Sequence, residues 1–221
     1  LTPSSEEIKK NVVDQLFWDS RVDASDILVE VSDGSVTLLG HVPSHVSRHA
    51  AEADAWTVPG VTWVDNQISV LYPASYSLPT DHQIKNYIQG VLAVNREVGG
   101  AGVDVEVRGG VATIQGTVDT YWKKTMIERM ARDVVGVVDV ESKLTIVPSG
   151  SIRDQAIAEG IAAAMERNTL IDSGNVDIKV TDGHVTLTGT VSHWRSMLAA
   201  EETAGCAAGV RKVDNLLTLR P

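Results

Sequence analysis

One ten-residue segment occurs three times along this chain, and that recurrence limits the possible folds more than any other feature. Asp33-Gly34-Ser35-Val36-Thr37-Leu38-Leu39-Gly40-His41-Val42 returns nearly unchanged as Asp182-Gly183-His184-Val185-Thr186-Leu187-Thr188-Gly189-Thr190-Val191. A looser copy, Gly109-Gly110-Val111-Ala112-Thr113-Ile114-Gln115-Gly116-Thr117-Val118, lies between them. Gly34 and Gly110 are 76 residues apart and Gly110 and Gly183 are 73 apart. The same two offsets relate Gly40, Gly116 and Gly189, and again Gly60, Gly136 and Gly209. A chain of 221 residues with 43% hydrophobic content is therefore three small modules rather than one or two ordinary domains.

Within each copy the apolar period changes in the same order. A stripe spaced by four opens it: Ile8, Val12 and Leu16; Ile84, Ile88 and Leu92; Ile157, Ile161 and Met165. That spacing is the buried face of an amphipathic helix. Alternation follows at Ile27, Val29 and Val31; Val103, Val105 and Val107; Val176, Ile178 and Val180, as in a strand with one buried face. Asp33-Gly34, Gly109-Gly110 and Asp182-Gly183 then mark hairpin turns, where glycine tolerates positive φ. A second strand carries Val36, Leu38 and Val42, or Ala112, Ile114 and Val118, or Val185, Leu187 and Val191. A second helix starts near Ser44, Thr120 and His193, and its inner face holds Ala51 and Ala55, Ile127 and Ala131, or Ala200 and Ala204. Gly60, Gly136 and Gly209 stand past its end, at the place of a left-handed helix cap. A third strand closes the unit, ending in Ile68 and Val70, Leu144 and Ile146, or Leu217 and Leu219.

Only one face of each strand is apolar, so both helices must cover the same face. The expected fold class is α+β: three tandem αββαβ modules at 4–71, 80–147 and 151–220, each a three-stranded mixed sheet with two helices packed on one face. Tyr72 to Pro79 is a linker with two prolines; Pro148-Ser149-Gly150 is shorter and should hold copies two and three closer together.

Charge narrows the function. With 19 basic and 29 acidic residues the net charge is -10, which repels nucleic acid phosphates. No apolar run approaches the roughly 20 residues of a membrane-spanning helix. Cys206 is alone, so no internal disulfide forms, and an unreactive, partly exposed thiol is expected. The serines have no nucleophile motif and each Asp-Gly pair belongs to a hairpin, so no catalytic residues and no cofactor are assigned. His41, His45 and His49 are spaced by four, but Pro43 breaks the register before His45, and no metal site is assigned.

The hairpin of copies one and three and the closing strands Gly60-Val61-Thr62-Trp63-Val64-Asp65-Asn66 and Gly209-Val210-Arg211-Lys212-Val213-Asp214-Asn215 resemble the BON domain, the bacterial osmotically-inducible and nodulation domain. Copy two departs at Gly109, Ala112 and Glu141-Ser142, which weakens its match in the turn and the last strand. The resemblance implies a non-catalytic binding or adaptor protein of the bacterial envelope or stress response, attached to phospholipid surfaces or to a protein partner. Its alternative is a small-ion or small-ligand sensor. The signature glycines it places are Gly34, Gly40, Gly60, Gly110, Gly116, Gly136, Gly183, Gly189 and Gly209, all with structural roles. No signal peptide is visible in the sequence, and its start at Leu1 rather than Met leaves a missing leader as the alternative. The family association favours the periplasm, with the cytoplasm as the alternative.

Residues 1–74 hold 11 acids and 4 bases, residues 75–148 hold 9 and 8, and residues 149–221 hold 9 and 7, so copy one is the acidic one. Copy two instead groups Tyr121, Trp122, Lys123, Lys124, Arg129 and Arg132 on its second helix. Aromatic rings with cations suit an anionic phospholipid surface or an envelope protein, and Trp194-Arg195 takes the matching place in copy three. These eight residues are the candidate contacts. The bland reading is a solvated helix face, with Trp194 packed on the rim of its own module. Because the copies share a skeleton but not a surface, the pattern points to one specialised module carried by two neighbours.

Overall fold

The structure, a computed structural model, describes residues 3–99, 102–148, 150 and 152–220; Ser149 of the second linker and Ser151 lie outside the described residues. Copy one comprises α1 (Ser5–Trp18), β1 (Ile27–Ser32), β2 (Ser35–Val42), α2 (His45–Thr57), β3 (Trp63–Asn66) and β4 (Ser69–Val70). Copy two comprises α3 (Asp81–Val94), β5 (Val103–Arg108), β6 (Val111–Val118), α4 (Tyr121–Arg132) and β7 (Asp139–Ile146). Copy three comprises α5 (Asp154–Glu166), β8 (Val176–Thr181), β9 (His184–Val191), α6 (Trp194–Gly205) and β10 (Lys212–Leu219). The order is the αββαβ order expected from the sequence. Among the described residues no helix is long and apolar enough to cross a membrane.

Packing divides the chain into two compact units: Leu1–Val91 with Val105–Thr113 and Met130–Glu141, and Leu92–Asp104 with Ile114–Arg129 and Ser142–Pro221. In the first unit β2 lies between β1, antiparallel, and β3, parallel, with β4 continuing the parallel pairing. In the second unit β9 lies between antiparallel β8 and parallel β10. The middle sheet runs in the order β5-β6-β7. A parallel neighbour needs a crossover, and the second helix of each copy supplies it. Asn66 pairs with Leu38 and Ser69 with His41, so β3 and β4 keep one register and are two pieces of the expected third strand. The same backbone bond starts that strand in each copy: Thr62 N–H donates to Gly34 O (2.9 Å), Val138 to Gly110 (2.9 Å) and Arg211 to Gly183 (2.8 Å).

The predicted stripes meet in these cores. Ile8, Val12 and Leu16 of α1, Val29, Val36, Leu38 and Val42 of the hairpin, and Ala50, Ala51 and Ala55 of α2 form one buried cluster. Ile157, Ile161, Met165, Val185, Leu187, Val191, Ala200 and Ala204 form its counterpart in copy three. Alanine on the second helix lets its backbone approach the sheet closely, which a short crossover requires, while the larger side chains of the first helix fill the remaining volume. Burying each large one stabilises by roughly 1.5–3 kcal/mol.

One reading of the sequence needs correction. α2 ends at Thr57 with Val58 extended, and the Val61 N–H bonds back to Val58 O (3.2 Å). Gly60 (φ 90°), Gly136 (φ 95°) and Gly209 (φ 88°) therefore occupy the third position of a β-turn that follows the helix, not a helix cap. The weaker consensus match of copy two leaves its hairpin intact. Asp33 and Asp182 are driven to φ 49° and 52°, a region that glycine at 109 occupies freely. The Asp81 carboxylate also accepts the Gly109 and Gly110 N–H groups (2.8 and 3.0 Å), as Asp154 does for Asp182 and Gly183 (2.6 and 2.9 Å).

Candidate functional site

Helix α4 was the best chemical candidate in the sequence, and its residues separate into different environments. Thr120 caps it, its hydroxyl accepting the Lys123 N–H at 3.2 Å, and this fixes Tyr121 as the first helical residue. Tyr121 is half-buried and packs against the core of copy three. Burial pushes its phenol up, helped by the carboxylates of Glu201, Glu128 and Asp214. Its ring carbons stand 3.3 Å from where a Cβ on Gly205 would lie, so a larger residue there would push the ring back by a few tenths of an ångström. Trp122 and Arg129 line a cleft of about 360 Å³ with Tyr121, Leu198, Glu201 and Glu202.

The other candidates do not join that cleft. Lys123 is paired with Asp119 (2.9 Å), whose carboxyl it holds below the usual range. Lys124 is half-buried. Arg132 ends the helix, and its charge bears on His45. Trp194 and Arg195 open α6, with the guanidinium 5.5 Å from the ring centroid, a cation–π pair within the copy. The structure thus brings Tyr121, Trp122 and Arg129 together and leaves Lys123, Lys124, Arg132, Trp194 and Arg195 apart from them. Cys206 is exposed, and burial of its sulfur together with Glu202 pushes the thiol up, which disfavours a reactive thiolate.

The histidines do not converge. His41 faces Asp26 (3.4 Å), His49 is exposed, and His45 is only 6% exposed. His45 Nε2 lies 3.1 Å from Val138 O, so the neutral ring donates that bond. Burial holds its imidazole below the ordinary value against the pull of that bond, with Arg48, Arg132 and His49 adding to the lowering. A neutral ring favoured by the fold contributes stability fully above the ordinary imidazole pKa of about 6.5, and that contribution is lost as pH falls through the lowered folded value. On acidification from pH 7 to 5 the urea midpoint should fall more for the wild type than for His45→Gln, whose amide keeps a donor.

Sequence reasoning missed the most exposed aromatic pair. Phe17 is 74% and Trp18 81% exposed at the end of α1, their rings edge to face with centroids 5.9 Å apart. Val13 is exposed one turn earlier on the same face as Phe17. The signal was present: the chain's single phenylalanine follows Leu16, the last residue of the buried stripe, and so falls one helical step off it. The charges beside the pair are neutralised locally. Lys10 meets Asp14 at 2.7 Å and Arg21 meets Asp19 at 2.5 Å, the guanidinium holding the Asp19 carboxyl down to about 2. A second aromatic pair lies elsewhere on copy one, where Trp63, 53% exposed, stands edge to face with Trp56 at 6.4 Å. On α3, Tyr87, Val91 and Val94 are exposed along one face.

Three αββαβ modules with a shared skeleton, differing surfaces and exposed aromatic side chains define a tandem-repeat α+β protein. The BON domain matches residues 4–72, 80–148 and 153–221, and the chain belongs to that family. It is 27% identical to osmotically-inducible protein Y of Escherichia coli (strain K12) over 141 residues, 61% of this chain and 70% of that protein. Among solved structures it is similar to CdsD, a structural protein of the type III secretion system of Chlamydia trachomatis, at 17% identity. That match covers 96% of this chain and 90% of CdsD with a TM-score of 0.27. A second CdsD structure, of the C-terminal domain, matches at 16% identity over 99% of this chain and all of that one, again with a TM-score of 0.27.

Proposed function

We propose that this chain is a non-catalytic, multivalent binding protein of the bacterial envelope, acting in the osmotic-stress response and attaching reversibly to phospholipid surfaces. The exposed Phe17–Trp18 pair carries the reading, because two adjacent rings turned to water at a helix end suit the lipid–water boundary. Family membership and the likeness to an osmotically-inducible protein support the envelope and stress setting, with the periplasm as compartment. The neighbouring ion pairs leave the rings as the attractive element. Complete burial of such a ring is worth roughly 1.5–3 kcal/mol, so one pair gives weak attachment, and further contacts are needed for avidity. Trp122 and Arg129 of α4 are the proposed additional contacts, the cation adding about 1 kcal/mol at an anionic surface.

Co-sedimentation with vesicles of phosphatidylcholine alone and of phosphatidylcholine with phosphatidylglycerol tests this. The wild type is expected to pellet with both. The double variant Phe17→Ser, Trp18→Ser should bind at least tenfold more weakly to each, with added salt removing only the extra binding to the anionic vesicles. A wild-type chain that pellets with neither would overturn the reading.

A further inference from the structure

The first residue of the second helix makes the contact between copies twice. In the first unit it is His45 of α2, whose ring reaches Val138 O just before β7 of the next copy. Tyr72 reinforces that joint, its hydroxyl donating to Val137 O (3.3 Å) and accepting the Gly136 N–H (3.0 Å). In the second unit it is Tyr121 of α4, which packs on the copy-three core beside Gly205, with the backbone of Val213 within reach of its hydroxyl. The offsets of 76 and 73 residues make His45, Tyr121 and Trp194 the same position. In copy three this position is a tryptophan, partly exposed, with the Arg195 guanidinium 5.5 Å from its ring centroid.

The receiving surface also recurs, and in copy one it is exposed. Val138 and Gly205, which receive His45 and Tyr121, correspond to Thr62 and Trp56 of copy one. There the surface is aromatic: Trp56 is half-buried and Trp63 beside it is 53% exposed, whereas the matching residues are Asp139 and Lys212 in the other copies. The copy-three knob and the copy-one receiving surface are thus the two places in this series that carry tryptophan. Charge agrees with the pairing. Arg195 occupies the position of Trp122, which lines the α4–α6 cleft together with Glu201, and Glu52 occupies the position of Glu201. Docked in the same manner, Arg195 approaches Glu52 on the most acidic copy.

We infer that this chain self-associates head to tail, with Trp194 and Arg195 of copy three docking on the Trp56–Trp63 surface of copy one in a second chain. Such an interface uses different surfaces on the two partners and leaves a free knob and a free receiving surface on every assembly. Aromatic pairs of this kind contribute beyond their buried area.

Sedimentation velocity of the full chain from micromolar to millimolar concentration, without lipid, reads the association. The average mass of the wild type should rise with concentration. Trp194→Ala and Trp63→Ala should each weaken association at least tenfold, as should Arg195→Glu, which leaves Trp194 in place in case its removal perturbs α6. An equal mixture of Trp194→Ala and Trp63→Ala chains should form a two-chain species and stop there, because each supplies the face the other lacks. A wild type that keeps the single-chain mass throughout would overturn the proposal, and so would association that survives Trp63→Ala or a mixture that stays monomeric. Because no lipid is present, failure here leaves the vesicle result standing, and the reverse holds too.

Discussion

Gly189→Ala is expected to unfold the third copy. Gly189 sits in β9 with φ 121°, and a Cβ there would land on the backbone carbonyl of Asn175, which leads into β8. Gly40 against Asp26 O and Gly116 against Gly102 O repeat the arrangement, with φ 110° and 141°. The obstacle is main chain rather than a movable side chain, so steric overlap adds to the cost of positive φ. A loss of about 3–5 kcal/mol follows from these together, comparable to the whole stability of a module this small. Gly160→Ala is the control. Gly160 lies exposed in α5 with open space around its missing Cβ, and alanine there should stabilise by up to about 1 kcal/mol. Thermal unfolding of the full chain reads both variants, as the early loss of one transition in the first and a small upward shift in the second.

Asn215→Ala should destabilise the same copy by about 2–4 kcal/mol. Its amide donates to Met197 O and to the Glu201 carboxylate, both at 3.1 Å, and its oxygen accepts the Leu217 N–H at 3.2 Å. One side chain therefore ties β10 to α6, and removing it strands a partly buried carboxylate and carbonyl. Asn66 makes the same three bonds in copy one, to Arg48 O, Glu52 and Ile68 N. Copy two has Ser142 there, and the buried Ser142 Oγ has no hydrogen-bond partner among the described residues. Glu128 stands at the position of Glu52 and Glu201, so Ser142→Asn should rebuild the bracket and raise stability by about 1–2 kcal/mol. Urea unfolding midpoints of the two variants should move in opposite directions.

The skeleton was legible because it is written in periods. Ile8, Val12 and Leu16 repeat at four, Val29 and Val31 alternate, and each appears three times at common offsets, so a local ambiguity in one copy is resolved by the others. The glycine turn after α2 was misplaced because a helix end has no period. Gly60 announces positive φ, but only the extended Val58 before it separates a turn from a cap. The surface was less legible for a different reason. Tyr121 reads as an interfacial aromatic in sequence, but its ring packs on the core of copy three beside Gly205, 84 residues further on, a contact no local pattern announces. Phe17 and Trp18 were hidden by their place beside Leu16, where an apolar run looks like core until helical phase is followed residue by residue.

These reassignments concentrate the proposed lipid contact on α1 and the contacts between copies on the first turns of the second helices. Fluorine NMR of the full chain carrying 5-fluorotryptophan separates the two, since its five tryptophans can be assigned by single Trp→Phe replacements. On titration with phosphatidylcholine–phosphatidylglycerol vesicles the Trp18 resonance should shift or broaden first and most, with Trp56 and Trp63 unmoved. Perturbation of Trp122 and Trp194 with Trp18 unchanged, or no perturbation of any resonance, would contradict the account.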